Sequence, residues 1–231
     1  TCDDGSSPGS IGLGAGETVT CTFVNEQDGE IVVEKQTVPD GYQPWGGPFV
    51  FTGEIEAKLG DGESASKRVA PGTYQVTEEE RHWWDVDIAC DDDDSTGEAR
   101  TATFKVAPGE KVTCVFTNTK RSRIVVYKVT VPEGAEQRFD FQSSWGETFT
   151  LGDGGRHDSV LLPPGTYSVS ELPVEGWELA SATCDNGDDP SEIELPASTV
   201  VTCTFTNVEV QPEPGRIIVE KRTNPAGDQT E

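Results

Sequence analysis

The sequence EIVVEKQTVPDG, at Glu30–Gly41, decides the fold because it returns twice along the chain. It reads RIVVYKVTVPEG at Arg123–Gly134 and RIIVEKRTNPAG at Arg216–Gly227, and the lysine of each copy lies 93 residues from the next. Each copy is a short run of β-branched residues that ends in a turn containing proline and glycine. This pattern predicts a strand that opens a repeated structural unit.

Two further motifs repeat at nearly the same interval. APGTYQVTE at Ala70–Glu78 returns as PPGTYSVSE at Pro163–Glu171, which is 93 residues later. GETVTCTFVN at Gly16–Asn25 returns as GEKVTCVFTN at Gly109–Asn118 and as STVVTCTFTN at Ser198–Asn207, at intervals of 93 and 89 residues. These runs alternate apolar and polar residues between Gly, Pro and Asp clusters, and no helix-length stretch has a 3.6-residue apolar period. The sequence therefore predicts an all-β fold and argues against full disorder.

The repeats divide the 231 residues into four parts. Residues 1–28 match the C-terminal part of a preceding module, 29–120 and 121–210 are two full modules, and 211–231 contain a linker and the first strand of a following module. In the first full module we expect strands near 30–38, 48–55, 64–70, 72–78, 83–90, 99–106 and 110–118. About seven strands with these turns indicate a β-sandwich. Short joints and the stiff proline-containing linker Gln211–Gly215 predict tandem modules arranged as a rod.

The charge of the chain excludes several classes of partner. It has 42 acidic and 17 basic residues, for a formal net charge of −25. Such a chain cannot bind nucleic acid by releasing counterions, and anionic membrane surfaces are equally poor partners. No segment approaches the roughly 20 apolar residues of a membrane-spanning helix, so we expect no membrane insertion. Because the sequence begins without Met or a signal peptide, we interpret it as a mature product or a piece of a longer chain.

Three polar residues of each module continue apolar stripes. Side chains alternate between the faces of a strand, so Lys35 shares a face with the apolar residues at 31 and 33, Glu78 with those at 74 and 76, and Asn118 with those at 112, 114 and 116. The same parity holds in the second module and in the two partial modules, for Lys128, Glu171, Asn207, Asn25 and Lys221. If the stripes face a core, each full module buries one Lys, one Glu and one Asn.

Burial of these three residue types together predicts a specific reaction. Desolvation lowers the pKa of a lysine and raises that of a glutamate, which gives a nucleophilic amine and a carboxyl that can pass protons. The amine can then attack the asparagine carboxamide and release ammonia, forming a Lys–Asn isopeptide bond. The alternative is that these residues lie at strand ends, where the charged tips reach solvent. Repetition of the triad in two modules favours the bond.

The order of these motifs resembles a known family. A lysine in the first strand, Gly-Thr-Tyr-x-Val-x-Glu in the middle and Phe-x-Asn in the last strand is similar to the Cna B-type, prealbumin-like (transthyretin-like) modules of bacterial surface proteins and pilins. The resemblance covers both full modules and the two partial ones. It implies a two-sheet β-sandwich in which a Lys–Asn bond joins the first and last strands, with an acidic residue as catalyst. It therefore implies cross-links Lys35–Asn118 and Lys128–Asn207, with Glu78 and Glu171 as catalysts, while Asn25 and Lys221 lack partners in this sequence.

The cysteines depart from the general family pattern. They occur as one pair in each module and one pair in the leading partial module, at Cys2, Cys21, Cys90, Cys114, Cys184 and Cys203. We interpret these pairs as three disulfides in an oxidising compartment. Zinc binding is the alternative, although there is no Cys-x-x-Cys and there are only 2 His; free buried thiols are the other. We also find no sortase-type sorting signal, so sortase-dependent polymerisation is not supported.

Acidic residues follow the first cysteine of each pair, most densely at residues 91–94. Calcium would use such oxygens, but the EF-hand spacing is absent, so we interpret these segments as solvated loops. The tryptophans, Trp45, Trp83, Trp84, Trp145 and Trp177, are interpreted as core or module-joint packing rather than as a sugar-binding platform. We therefore expect no cofactor and no metal.

Together these features predict an extracellular, cell-surface or secreted structural repeat protein that forms a filament, pilus-like fibre or stalk. Its partners would be neighbouring copies of itself, and its chemistry would be a single self-modification, so we do not predict an enzyme. One alternative is a surface adhesin whose loops bind a host or environmental ligand. Another is a fibre assembled by donor-strand exchange through the terminal segments, in which Lys221 would join the Asn25 of a neighbouring chain.

Overall fold

The computed structural model describes residues 1–42, 47–210 and 215–221. Trp45 and most of the proline-containing linker, both singled out from the sequence, lie outside these residues. The described residues contain strands and turns but no helix, so the predicted all-β fold is confirmed. They also contain no helix with the length and apolarity needed to span a membrane.

The chain divides into two compact units. The first contains Thr1–Arg123 with the short segments Val160–Gly165 and Leu195–Val200, and the second contains Ile124–Ser159, Thr166–Glu194 and Val201–Glu231.

The strands of the first unit form two sheets. One sheet has the order β4-β1-β9-β6 and the other has the order β3-β2-β5-β8-β7. The strands are β1 (Gly29–Val38), β2 (Phe49–Gly53), β3 (Ala57–Leu59), β4 (Ser64–Val69), β5 (Gly72–Glu78), β6 (Trp84–Cys90), β7 (Thr96–Glu98), β8 (Thr101–Val106) and β9 (Lys111–Lys120). Side chains from the two inner faces pack into one core, which is the β-sandwich predicted from the turn spacing.

The second unit repeats this plan with a more divided second sheet. Its first sheet has the order β13-β10-β18-β16, and its remaining strands form the sheets β12-β11-β15 and β14-β17. The strands are β10 (Arg123–Val131), β11 (Phe139–Ser143), β12 (Thr148–Leu151), β13 (Arg156–Asp158), β14 (Gly165–Tyr167), β15 (Val169–Glu171), β16 (Trp177–Cys184), β17 (Ile193–Leu195) and β18 (Val200–Glu209).

The first unit has two short strands, β3 and β7, beyond the seven that the sequence predicts. In the first unit β3 and β7 have 3 residues each, and β7 contains Gly97 between Thr96 and Glu98. Segments this short carry too few alternating residues to give a strand pattern, and glycine weakens that pattern further. In the second unit, the middle strand is interrupted at Ser168, whose N–H donates to the hydroxyl of Ser144 and whose carbonyl accepts from the Ser144 N–H.

The first and last strands of the first unit lie side by side and run parallel. The pairing aligns Ile31 with Val112, Lys35 with Phe116 and Thr37 with Asn118. Inward-facing positions of both strands are buried, and the core between the two sheets is rich in aromatic rings, including Phe49, Phe51, Phe104, Phe116 and Trp84. This pairing matters for the site because it brings residues from opposite ends of the module into one sheet.

Three disulfides are present, with the pairing predicted from the sequence: Cys2–Cys21, Cys90–Cys114 and Cys184–Cys203. Cys90 and Cys114 are directly opposite each other on β6 and β9, and Cys184 and Cys203 occupy the same positions on β16 and β18. The disulfides of the two full modules therefore each tie the last strand of the module to the strand beside it, β6 or β16.

The described terminal segments do not extend these sheets. Within residues 1–28 the described bridges are the isolated pairs Cys2–Cys21 and Ser7–Ser10, and Phe23 is 73% exposed. Residues 215–221, where the sequence pattern predicts a strand, belong to none of the sheets, and Ile217 and Val219 are 89% and 86% exposed. A strand needs a partner to satisfy its backbone groups, and sequence alternation alone does not provide one.

Candidate functional site

The first candidate site begins with the buried Lys35 on β1. Its side chain is 0% exposed because it continues the inward-facing stripe of Ile31 and Val33. Its ammonium nitrogen donates to the main-chain carbonyls of Gln36, at 2.7 Å, and Phe116, at 2.9 Å. These two carbonyls hold the end of the side chain against β9 rather than letting it reach solvent, which excludes the strand-end alternative for this residue.

Asn118 meets Lys35 because of the register of the parallel pair. Asn118 lies two residues beyond the residue opposite Lys35, so both side chains project from the same face of adjacent strands. The Lys35 Nζ donates to the Asn118 Oδ1 at 2.8 Å, and Asn118 is 0% exposed. The amine therefore lies in hydrogen-bond contact with the carboxamide whose carbon it would attack.

Glu78 reaches the same point from the opposite sheet. It is the last residue of β5 and is opposite Phe51 on β2, so its side chain crosses the interior toward β9. The Asn118 Nδ2 donates to the Glu78 Oε1 at 2.5 Å, and the Lys35 Nζ is 3.8 Å from the Glu78 Oε2. That second oxygen is buried and accepts no hydrogen bond from the described residues. The carboxyl group thus contacts the nitrogen that would leave.

Aromatic rings close the site to water. The Lys35 Nζ lies 4.3 Å from the centre of the Phe49 ring, and the rings of Phe51 and Phe116 meet edge to face with centroids 5.0 Å apart. A cation held over an aromatic face is attracted to it, but this attraction does not replace the hydration that the charge has lost. The surroundings therefore favour the uncharged amine.

The electrostatics of the pair point the same way. Burial lowers the pKa of Lys35 to about 8, against a partial opposing effect of Glu78 and Asp61. Burial raises the pKa of Glu78, although the Lys35 charge and the Asn118 hydrogen bond act in the other direction. Both shifts favour a neutral amine beside a protonated carboxyl, which are the forms needed for nucleophilic attack and for proton donation.

The second unit contains the same arrangement. The Lys128 Nζ donates to the Asn207 Oδ1 at 2.9 Å, and the Asn207 Nδ2 donates to the Glu171 Oε1 at 2.5 Å. The Lys128 Nζ lies 3.6 Å from the Glu171 Oε2 and 4.2 Å from the centre of the Phe139 ring. Burial lowers the pKa of Lys128 and raises that of Glu171. Both triads that the sequence named are therefore brought together.

The two remaining residues that match the motif are not in such a site. Asn25 and Lys221 are both exposed, and neither belongs to a strand in the part of the chain that the structure describes. The motif by itself therefore does not place these residues in a core; the surrounding two-sheet module does.

Sequence reasoning missed one residue in each site. Asp61 and Asp153 follow β3 and β12, and each accepts main-chain hydrogen bonds from the segment just after the buried lysine. The signal was available, because Leu-Gly-Asp-Gly occurs at 59–62 and again at 151–154. It was overlooked because an Asp-Gly pair is the ordinary composition of a turn.

The acidic loops bind their own backbone. The Asp91 Oδ1 accepts from the Thr113 N–H at 2.7 Å, and the Asp185 Oδ1 accepts from the Thr202 N–H at 2.9 Å. The described residues contain no group of three or more His, Cys, Asp or Glu that could hold a metal ion. Of the tryptophans, Trp84 is buried and packs edge to face on Phe49, whereas Trp83 is 57% exposed.

Comparison with known proteins supports the expected family for one segment. Residues 84–120 match the sequence profile of the family described as "Prealbumin-like fold domain". This segment spans β6 to β9 and includes the Cys90–Cys114 disulfide and Asn118. The resemblance to prealbumin-like modules inferred from the sequence is thereby confirmed. No curated protein matches the chain by sequence.

Several solved structures are similar to this one. The major pilin from Streptococcus pyogenes is 15% identical, with a TM-score of 0.37 over 81% of this chain and 100% of that chain. The minor pilin GBS52 from Streptococcus agalactiae is 11% identical, with a TM-score of 0.32 over 83% of this chain and 99% of that one. The Bacillus anthracis TIE protein is 14% identical, with a TM-score of 0.34 over 80% of this chain. The chain spans only 34% of the length of the TIE protein.

Proposed function

We propose that this chain is part of an extracellular structural protein, a pilus-like fibre or stalk, whose modules are each locked by a self-made Lys–Asn isopeptide bond and a disulfide. The observation that carries the proposal is the buried triad Lys35, Glu78 and Asn118, repeated as Lys128, Glu171 and Asn207. Burying three polar side chains costs free energy, and the same costly contact occurs in both modules. A reaction among the three side chains would explain why each module buries them.

The positions of the atoms support the following reaction. A proton passes from the Lys35 ammonium to the Glu78 carboxylate, and the amine lone pair then attacks the Asn118 Cγ while the carbonyl electrons move onto Oδ1. Glu78 next gives a proton to Nδ2, which it already contacts, and the Cγ–Nδ2 bond breaks as the carbonyl re-forms. Glu78, now a carboxylate again, takes the second proton of the amine nitrogen, and ammonia leaves. A neutral amide and a protonated carboxyl then replace the buried ion pair. No co-reactant is needed.

The bond would change how a module bears tension. It joins β1 to β9, which are the strands by which the chain enters and leaves the module. In a module without the bond, a pull on the ends acts on the hydrogen bonds between these strands. In a bonded module, the pull passes through covalent bonds from Lys35 to Asn118, and the residues between them carry none of it. This behaviour suits a fibre or a stalk.

The disulfides support an extracellular location. Structural disulfides persist in oxidising compartments and are rare in the cytosol. In the first full module the last strand, β9, lies between β1 and β6. The disulfide joins β9 to β6, and the proposed isopeptide bond would join β9 to β1, so β9 would be tied on both sides. The reaction would occur once per module and consume the module's own Lys and Asn rather than an external substrate, so the proposed role is structural rather than enzymatic.

The direct test is the intact mass of the purified chain after reduction of its disulfides. We expect the mass to fall short of the sequence mass by two ammonia molecules, and proteolytic fragments to contain the branched peptides Lys35–Asn118 and Lys128–Asn207. In Asn118→Ala the first bond cannot form, so the mass should fall short of that variant's own sequence mass by one ammonia molecule instead of two. A chain at its full sequence mass would refute the proposed chemistry and leave an ordinary pair of disulfide-bonded sandwiches.

A further inference from the structure

A carboxylate anchors the segment that follows each buried lysine. The Asp61 Oδ1 accepts from the Thr37 N–H at 2.5 Å, and its Oδ2 accepts from the Gly41 N–H at 2.7 Å. In the second unit, the Asp153 Oδ1 accepts from the Thr130 N–H at 2.7 Å, and its Oδ2 accepts from the Gly134 N–H at 2.8 Å. Both oxygens are used in both modules, so the arrangement is the same device built twice.

The loop that carries this carboxylate also holds the lysine itself. The Lys35 N–H donates to the Glu63 carbonyl at 2.9 Å, and the Lys35 carbonyl accepts from the Gly62 N–H at 2.8 Å. Lys128 is held in the same way by the Gly155 carbonyl, at 3.0 Å, and by the Gly154 N–H, at 2.9 Å. The turn therefore fixes the backbone of the lysine and of the residue two positions later.

We propose that Asp61 and Asp153 are positioning residues for the isopeptide reaction, an inference that rests on the proposed function. Thr37, which Asp61 holds, is the residue directly opposite Asn118 in the parallel pair. The hydrogen bond to the Thr37 N–H thus fixes the part of β1 that faces Asn118. It thereby also positions the Lys35 amine, two residues earlier, relative to the Asn118 carboxamide. A turn that only joined two strands would need neither oxygen aimed at β1.

The charge of this carboxylate has a second effect on the reaction. Burial raises the pKa of Asp61, but the hydrogen bonds from Gly41 and Thr37 more than offset this and hold it below its ordinary value. The ionised Asp61 in turn raises the pKa of Lys35. Three other charged groups act on the reacting pair: Asp61 raises the pKa of Lys35, and Arg81 and Arg100 lower that of Glu78. Lys35 and Glu78 also act on each other, each favouring the charged form of its partner. Asp61 improves the geometry while opposing deprotonation of the amine.

The test compares three substitutions of Asp61 by intact mass over time after purification. Asp61→Ala removes both acceptors, Asp61→Asn keeps one oxygen without the charge, and Asp61→Glu keeps the charge and both oxygens. Because a displacement near 1 Å can slow a reaction by about a hundredfold, we expect Asp61→Ala to slow formation of the first bond by about tenfold to a hundredfold. Asp61→Glu should recover part of this rate. Asp153→Ala should slow only the second bond.

The matched control is Asp91→Asn. Asp91 also accepts a main-chain hydrogen bond at an end of a strand in the same unit, but it holds Thr113 near the start of β9, away from Asn118. We expect this variant to form both bonds at the wild-type rate. In every variant, formation of the Cys90–Cys114 disulfide reports folding of the module. If Asp61→Ala fails to form it, the same comparison is made with Asp61→Asn.

The pH profile separates positioning from mere support of the fold. Loss of the Asp61 charge lowers the pKa of Lys35, so the range of pH in which the bond forms should move to lower pH in Asp61→Asn. Wild-type rates in Asp61→Ala, or slower bond formation in Asp61→Asn with an unmoved profile, would overturn the assignment. A wild-type chain without any bond would instead overturn the proposed function, so the two failures are distinguishable.

Discussion

Replacement of Glu78 by Gln isolates the cross-link of the first module from that of the second. Gln has nearly the shape of Glu and can keep a contact with Asn118, but it cannot take the proton of Lys35 or return it to the leaving nitrogen. Both reacting groups remain in place at 2.8 Å. We therefore expect Glu78→Gln to lose one ammonia equivalent instead of two, with the Lys128–Asn207 bond intact.

The loss of stability can be calculated from the positions of the cross-linked residues. Lys35 and Asn118 are 83 residues apart, and closing a loop of that length stabilises by about 4–5 kcal/mol in the chain-entropy model. The variant also keeps a buried lysine with an unbonded amine. The fall of its pKa from 10.5 to about 8 corresponds to roughly 3 kcal/mol against the charged form. The loop term alone should lower the melting temperature of this module by about 20–35 °C.

Calorimetry of the intact chain, paired with its mass, provides the assay. Glu171→Gln is the matched variant and should lower only the transition of the second module. Lys35→Met combined with Glu78→Gln removes the bond and both buried ionisable groups, so this double variant should be more stable than Glu78→Gln alone. Two ammonia losses in Glu78→Gln would show that Glu78 is not needed. An unbonded first module that melts with the wild type would refute the stability argument.

Three further outcomes follow from the same geometry. Under force, the bonded wild-type module should give no extension between Lys35 and Asn118. In Glu78→Gln the 83 residues between Lys35 and Asn118 should unravel, except the 24 that the disulfide encloses. The chain should then lengthen in one step of about 200 Å. A step of the same length in the wild type would contradict the bond. Asn118→Ala should gain up to roughly 3 kcal/mol in free energy of unfolding as pH rises from about 8 to 10.5, because the unfolded chain binds the Lys35 proton more tightly than the folded chain does. Urea titrations against Lys35→Met/Asn118→Ala would reveal this rise, and parallel curves would refute it. Reduction of Cys90–Cys114 should cost about 3 kcal/mol without separating the branched peptides, and their loss on reduction would show a different linkage.

The disulfide pairs were predictable because the cysteines recur two to a module. The fold class and the members of both triads were predictable for a different reason. Strand residues alternate between faces, so the parity of Lys35, Glu78 and Asn118 within apolar stripes is readable without coordinates. Repetition strengthened this, because two copies of each stripe agree. The same logic failed to find β3 and β7, since three residues do not establish a period, and in β7 one of the three is a glycine.

The alternation of apolar residues along a strand did not by itself predict burial. Asn25 and Lys221 obey the same pattern as their counterparts, yet both are exposed. Burial depends on the second sheet lying over the first, and that packing is a property of the whole module. A single strand motif does not contain it.

The amino-acid sequence alone determined which residues share one face of a strand, because the two-residue period of a strand is a local property of the backbone. Tertiary structure alone decided that Glu78 crosses from the opposite sheet to contact Asn118, and that the parallel register places Lys35 diagonally from it. It also decided that Asp61 holds Thr37. These contacts join segments 24 to 83 residues apart, and their distances depend on how two twisted sheets pack, which no local period specifies.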